Sequence, residues 1–597
     1  MSSEITLANG SVMALTALAN GTFLTVWNGA SNVPTAQIYN FDGTTKGGPI
    51  QLAPGSTGQN LNFTATSLSD GRFVVVWQQK GAQDGVHARI FDVNGTPVGD
   101  AFKIASGSAA QTLPQVAALK DGGFIVASIN DGTATSVKVA ADGTQGPPLA
   151  LQTNPLSVGL TTLQSGDLVA VIDTGVPGNY DMVAHVLLPD GSFYGSSEIF
   201  TDVADADPLS PHAAGLSDGG TVVVWDGIFE GSDSILIHRF LNTGESDNES
   251  IVNFSVGAGQ TLGSPAVKAL PGGGFVFAFV HDHAGGKDVY AGISRTNSWG
   301  QLNATTVGYD YTIGDQASPE ITILNDGRYV VSWLNTVNGV TETRAEIFDP
   351  RTAAVNWTGS AFHEQYQGTI YDDTLGGGGG DDLIVGDGGT DTLNGGSGQD
   401  TLNGGDDSDT YYVDHAADRI METSSGGAAD RVYAAVSHTL AFYVEQLYAS
   451  GSGSINLTGN SLANTLSGNS GANKINGGAG KDVLKGGAGK DTFIFSTKPS
   501  SSNVDKILDF SVKYDTIQLD NAIFKKLGSG SELKPGKLNK NFVAFGAKAK
   551  DKNDYLVYDK SKGYLYYDAD GSGSGKAMLI ATLSKSLKMT YADFYVI

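Results

Sequence analysis

Apolar and β-branched residues fall in short, strand-length runs from the N-terminus to about residue 350. Each run follows a turn that ends in glycine. Asn20-Gly21 precedes Phe23-Leu24-Thr25-Val26-Trp27, and Asp70-Gly71 precedes Phe73-Val74-Val75-Val76-Trp77. Further copies follow Gly122, Gly166, Gly219, Gly273 and Gly327, at spacings of 50, 51, 44, 53, 54 and 54 from Gly21 onward. An Asp-Gly or Asn-Gly pair supplies the positive φ of a tight hairpin turn. Unbroken apolar runs of strand length indicate burial on both faces. Four short strands per unit, seven times over, predict a seven-bladed β-propeller across residues 1–358. The fourth unit is the shortest and has no aromatic residue in its central run, Leu168 to Val171.

After a linker at 359–367 the period falls to nine. Nonamers begin at Gly368, Gly377, Gly386, Gly395 and Gly404, which defines a first array at 368–412. A second array at 459–494 begins its nonamers at Gly459, Gly468, Gly477 and Gly486. A non-nonameric β segment, 413–458, separates them, and a β-rich region fills 495–597. The cleanest copy is Gly395-Gly396-Ser397-Gly398-Gln399-Asp400-Thr401-Leu402-Asn403. The pattern G-G-x-G-x-D-x-U-x marks a parallel β-roll. Six residues form a turn and three a strand, so eighteen complete one coil.

Each position has a physical reason. Glycine admits turn conformations closed to residues with a Cβ and lets carbonyls face a common centre. The sixth-position aspartate adds a hard oxygen, and stacked turns offer the oxygen-rich cage that calcium prefers. The expected ligands are therefore Asp373, Asp382, Asp391, Asp400, Asp409, Asp482 and Asp491. The turn glycines expected around them are Gly377, Gly378, Gly380, Gly386, Gly388, Gly395, Gly396, Gly398 and Gly404 in the first array. In the second they are Gly477, Gly478, Gly480, Gly486, Gly487 and Gly489. Asp387 and Asp407 replace motif glycines, so those turns should be less regular, whereas Asn464 and Asn473 replace the sixth-position acid and should weaken binding there. The eighth position (Ile384, Leu393, Leu402, Leu484, Phe493) points inward. One inward residue per nine is a thin core against the entropy of ordering the other eight. The arrays are therefore expected to fold on binding several calcium ions.

The region from Gly368 to Ile597 resembles the C-terminal part of secreted RTX, or hemolysin-type, calcium-binding proteins. Besides the nonamers it shares Asp505-Lys506-Ile507-Leu508-Asp509-Phe510 and Tyr566-Tyr567-Asp568-Ala569-Asp570-Gly571. The ending Ala592-Asp593-Phe594 followed by apolar residues is similar too. The resemblance implies type I export through an uncleaved C-terminal signal, an extracellular or cell-surface location, and folding on external calcium. Met1-Ser2-Ser3-Glu4-Ile5 has no basic and apolar leader pattern, so no cleavable export signal is expected there.

Composition narrows the classes. The 597 residues hold 62 acidic and 36 basic side chains, a net charge of −26, which disfavours nucleic acid as a partner. The charge is uneven: from Lys474 onward 20 Lys face 13 acids, a net of +7. That basic end suits docking on acidic surface polysaccharide or lipopolysaccharide. The chain has no Cys, which removes disulfides and thiolate chemistry. No apolar run is long enough for a transmembrane helix.

Catalytic patterns are incomplete. Gly215-Leu216-Ser217-Asp218-Gly219 fits G-x-S-x-G but leads into a strand rather than a helix. His363-Glu364-Gln365-Tyr366-Gln367 lacks the second His of a zinc protease. His281-Asp282-His283 has the spacing of one strand face, and Asp568-Ala569-Asp570-Gly571 opens like an EF-hand loop without its distal Glu. Asp202, Asp205 and Asp207 are the densest acidic cluster before residue 358. The expected function is a secreted calcium-binding protein whose propeller acts as a binding, adhesion or matrix module. The alternative is a polysaccharide hydrolase or lyase with its site on the propeller.

Overall fold

The computed structural model describes residues 4–597 except 9–11, 30–32, 55–57, 82–83, 105–110, 164, 175–181, 191, 199–208, 230–231, 241–245, 258, 296–303 and 307–313. The acidic cluster Asp202, Asp205 and Asp207 lies outside the described residues. The chain divides into two compact units, Met1–Arg351 and Thr352–Ile597.

The first unit is a seven-bladed propeller of four-stranded antiparallel sheets. Blade 1 takes Val12–Ala17, Phe23–Asn28, Pro34–Tyr39 and Thr45–Gln51. The next five blades repeat this meander, their second strands being Phe73–Lys80, Phe124–Asn130, Leu168–Asp173, Thr221–Phe229 and Phe275–His283. Blade 7 has Asp315–Ile323, Tyr329–Val337 and Val340–Phe348, and its fourth strand is Ile5–Ala8 from the other end of the unit. That pairing closes the ring and leaves no open blade edge at the join. The marker glycines do take positive φ, such as +87° at Gly71 and at Gly327.

The apolar runs form seven separate cores, each shared by two neighbouring blades. Trp77 packs between blades 1 and 2, Trp225 between 4 and 5, and Trp333 between 6 and 7. Burial on both faces of a blade therefore explains the unbroken apolar pattern. Gly215 ends one strand and Thr221 begins the next, so the G-x-S-x-G sequence is a blade hairpin.

The second unit is a parallel β-solenoid of about 8 turns. Strands eighteen residues apart stack in register, as Thr374, Thr392 and Thr410 do on one side and Leu383 and Thr401 on the other. The segment 413–458 continues the stack: Arg431–Ala434 pairs with Thr410–Val413, and Gln446–Ala449 pairs with Arg431–Ala434. Residues 359–367 also belong to it, since Gln365–Gln367 pairs in parallel with Leu383–Asp387. The eighth-position residues Leu375, Ile384, Leu393, Leu402, Leu466, Ile475, Leu484 and Phe493 are all buried in one continuous column. The C-terminal region caps that column with Ile517, Phe594 and Val596.

Candidate metal centres

The sixth-position side chains of the solenoid form two carboxylate ladders. In each, Oδ1 accepts a hydrogen bond from the backbone N–H of the sixth-position residue one coil earlier. Asp382 N–H donates to Asp400 Oδ1 at 2.9 Å, and Asp391 N–H to Asp409 Oδ1 at 2.8 Å. Glu364 N–H donates to Asp382 at 2.7 Å, and Asp373 N–H to Asp391 at 2.7 Å. In the second array Asn464 N–H donates to Asp482 at 2.8 Å and Asn473 N–H to Asp491 at 2.9 Å.

The other oxygen is the informative one. Oδ2 of Asp382, Asp391, Asp400, Asp409, Asp482 and Asp491 is buried and has no hydrogen-bond partner. A buried carboxylate oxygen without a donor is costly. Burial pushes the Asp382, Asp391 and Asp409 carboxyls up to about 7, and Asp400 and Asp491 up to about 6, against the pull of the ladder hydrogen bonds. Neighbouring acids add to the rise. Burial likewise raises the Asp482 and Asp505 carboxyls.

The glycines belong to the same design. An added Cβ would stand 2.2 Å from Asp382 Oδ2 at Gly377, 2.1 Å from Asp391 Oδ2 at Gly386 and 2.0 Å from Asp400 Oδ2 at Gly395. Gly404, Gly477 and Gly486 meet Asp409, Asp482 and Asp491 in the same way. Second-position Gly378, Gly396, Gly478 and Gly487, and fourth-position Gly380, Gly398, Gly480 and Gly489, all have positive φ. Their Cβ positions face carbonyl oxygens of the preceding coil. At the irregular coil the positive φ falls on Asp387 and Gly389, with Gly388 between them.

These oxygens fit a hard divalent cation. The acids, with their turn carbonyls, would hold it, and the bound ion supplies the positive charge that the orphaned carboxylates lack. Asp373 differs, because Thr369, standing where the second glycine would be, donates to its Oδ2. Asn464 and Asn473 differ as well. Their amides donate to Val444 O at 3.1 Å and to Ile455 O at 3.0 Å, so a hydrogen bond joins the coils there.

Several ladder members lie outside the glycine nonamers, Asp418 still at the regular step of eighteen residues and Asp430, Asp505 and Asp515 at steps of twenty-one, twenty-three and twenty-four. Asp418 accepts from Asp400 N–H, Asp430 from Asp409 N–H, Asp505 from Asp482 N–H and Asp515 from Asp491 N–H. The signal was local: each acid stands two residues before a buried apolar strand residue, namely Ile420, Val432, Ile507 and Ile517. Glu364 and Tyr366 have the same relation inside the stretch expected to be a linker.

Other candidates resolve differently. His283 accepts from Gly285 N–H at Nδ1 and lies 2.7 Å from Asp288 at Nε2, so both its nitrogens are engaged. His281 Nε2 lies 2.9 Å from Gln260 Oε1. Asp570 accepts from Gly575 N–H at 2.9 Å within its own turn, while Asp568 Oδ1 is buried without a partner.

In the propeller the first strand of every blade touches the first strands of both neighbours, which puts these strands around the centre of the ring. His212, Lys268 and Glu320 stand on those of blades 5, 6 and 7. Burial drives Glu320 up to about 7, with Lys268 opposing, and His212 down to about 4, with Lys268 adding. A cavity of about 430 Å³ lies against the first strands of blades 2 to 4, and Lys268 reaches it from blade 6.

The geometry defines a calcium-binding β-roll, and comparison agrees. Residues 358–393, 385–418 and 458–493 match the RTX calcium-binding nonapeptide repeat. The second unit thus carries RTX calcium-binding repeats. No curated protein matches the chain. Among solved structures the chain is similar to a protein of unknown function from Dyadobacter fermentans, at 12% identity and a TM-score of 0.39, over 58% of this chain and 98% of that one. It is similar to virginiamycin B lyase from Staphylococcus aureus at 13% identity and a TM-score of 0.38, over 58% and 99%. An ulvan lyase of polysaccharide lyase family PL25 matches at 11% identity and a TM-score of 0.40, over 57% and 95%. Among the described residues no helix is long and apolar enough to cross a membrane.

Proposed function

We propose that the chain is a secreted protein whose solenoid folds when it meets extracellular calcium, with the propeller as a binding, adhesion or matrix module. One observation carries the calcium part: the buried Oδ2 atoms of Asp382, Asp391, Asp400, Asp409, Asp482 and Asp491 lack a hydrogen-bond donor, coil after coil. A fold with that defect is incomplete until cations enter it. Type I export fits this reading, because a chain poor in bound calcium would leave the cell with its solenoid unfolded. The Lys-rich end, net +7 from Lys474, suits acidic surface polysaccharide or lipopolysaccharide. The test is limited proteolysis of the full chain with calcium, with magnesium and with chelator. Protection of 352–597 by calcium alone is expected, and equal protection in chelator would overturn the proposal.

A second reading gives the propeller its own chemistry on acidic polysaccharide, as hydrolase or lyase. The placement of His212, Lys268 and Glu320 on neighbouring central strands, with the charge of Lys268 felt by both of the others, favours it, because a carboxyl group near 7 suits proton transfer. Depolymerisation of acidic glycans by the unchanged chain, and its loss in Glu320→Gln, would establish it. Inactivity of the unchanged chain across a glycan panel would dismiss it.

A further inference from the structure

The ladder that runs through Asp373, Asp391 and Asp409 changes step after Asp409. Asp409 N–H donates to Asp430 Oδ1 at 2.8 Å, twenty-one residues ahead instead of eighteen. The longer coil brings a third acid inward. Ligand atoms of Asp409, Glu422 and Asp430 lie within 4.8 Å of one another. Asp409 and Asp430 are 1% and 0% exposed, and Oδ2 of each is buried with no donor. Tyr411 O–H donates to Glu422 Oε1, and Thr423 N–H to its Oε2 at 3.2 Å. No ion pair reaches any of the three acids among the described residues. Glu422 and Asp430 also lie beyond 385–418, where the nonapeptide match ends.

Tyr411 positions one acid, but two buried oxygens are left facing a third carboxylate with nothing positive between them. Like charges in that arrangement repel strongly unless a cation sits among them. We propose that Asp409, Glu422 and Asp430 form a calcium site of their own, in which the Glu422 carboxylate contributes an oxygen that glycine carbonyls supply elsewhere in the array. Tyr411 is a positioning residue that holds Glu422 toward the site. Hard oxygen donors and a higher negative charge than a nonapeptide pair favour calcium or a trivalent lanthanide. The proposal rests on the calcium-binding reading of the solenoid and adds a ligand that no nonapeptide contains.

The decisive variant is Glu422→Gln in the full chain, because Gln still accepts the Tyr411 hydrogen bond. Calcium binding is counted by equilibrium dialysis and titration calorimetry, with Asp482→Asn as a control in the second array. Glu422→Gln should bind one ion fewer, or hold one ion about tenfold more weakly, while its circular dichroism in saturating calcium stays that of the unchanged chain. Tyr411→Phe should weaken the same ion and no other. If Glu422 only supports Tyr411, the Gln variant will bind the same number of ions with the same affinities, and the site is overturned while the arrays keep theirs. Absence of calcium binding by the unchanged chain would overturn both readings. Removing one of three like charges eases the metal-free state, so a Glu422→Gln chain that melts at higher temperature than the unchanged chain both in chelator and in saturating calcium would also overturn the site.

Discussion

Gly398 has no room for a methyl group. Its φ is +141°, and an added Cβ would lie 1.7 Å from the Gly380 carbonyl oxygen. Gly451 also has positive φ, +67°, but faces open space. Gly451→Ala should therefore cost about 1–2 kcal/mol, the left-handed penalty alone. Gly398→Ala should cost more and raise the calcium concentration needed for half-folding, read by circular dichroism. Equal effects of the two substitutions would show that coil stacking does not constrain the turn. Asn473 makes the opposite point. Its amide joins two coils without a metal. Asn473→Asp should add one calcium ion per chain in dialysis and loosen the fold in chelator, since the new carboxylate would face an acceptor instead of donating to it. The nonapeptide positions of Gly398 and Asn473 could be read from sequence, because period nine fixes them. The ladder partners of Asp430 and Glu445 could not, because their spacing obeys the length of irregular coils that only the register reveals.

At the scale of the element, the ladder is a row of acids held in each other's company by backbone N–H groups. That arrangement has a pH dependence. The folded carboxyls of Asp382, Asp391 and Asp409 stand near 7, while in an unfolded chain Asp titrates near ~3.9. A raised folded value means that the folded, metal-free ladder binds protons more tightly than the unfolded one. Metal-free stability is therefore greatest below pH ~4 on account of these groups and is lost as pH rises through about 7. Calcium needs the ionised form, so its affinity should move the other way and weaken as pH falls from 8 to 5. Melting of the solenoid in chelator should occur at higher temperature at pH 5 than at pH 8, and calcium should reverse that order. An unchanged order with calcium would mean that the carboxylates are not the ligands. Sequence pattern alone revealed the strands and their inward residues. It did not reveal that Ile5–Ala8 completes blade 7, because a four-residue strand carries no mark of a partner more than 330 residues away.

The whole molecule joins two kinds of cohesion. The propeller closes on seven apolar cores between blades, which need no ion. The solenoid has one apolar column, flanked by acids whose second oxygens await a donor. Removing calcium should therefore act on one unit and spare the other. Each ion at a hundredfold excess over its Kd adds about 2.7 kcal/mol, and 1 kcal/mol moves the midpoint of a domain of this size by about 2–4 °C. Each ion thus raises the solenoid midpoint by about 5–10 °C. Tryptophan separates the two transitions, because Trp357 alone of the six lies after Arg351, stacked at 4.1 Å on Tyr366. Fluorescence of the unchanged chain should follow the propeller and melt at nearly the same temperature in calcium and in chelator. Far-ultraviolet circular dichroism should show a second step that calcium moves by tens of degrees. Replacing Trp357 by Phe should leave the fluorescence transition blind to calcium altogether. If calcium instead moves the fluorescence transition of that variant as far as the circular dichroism step, the propeller takes its stability from the ion, and the division of labour between the two units fails.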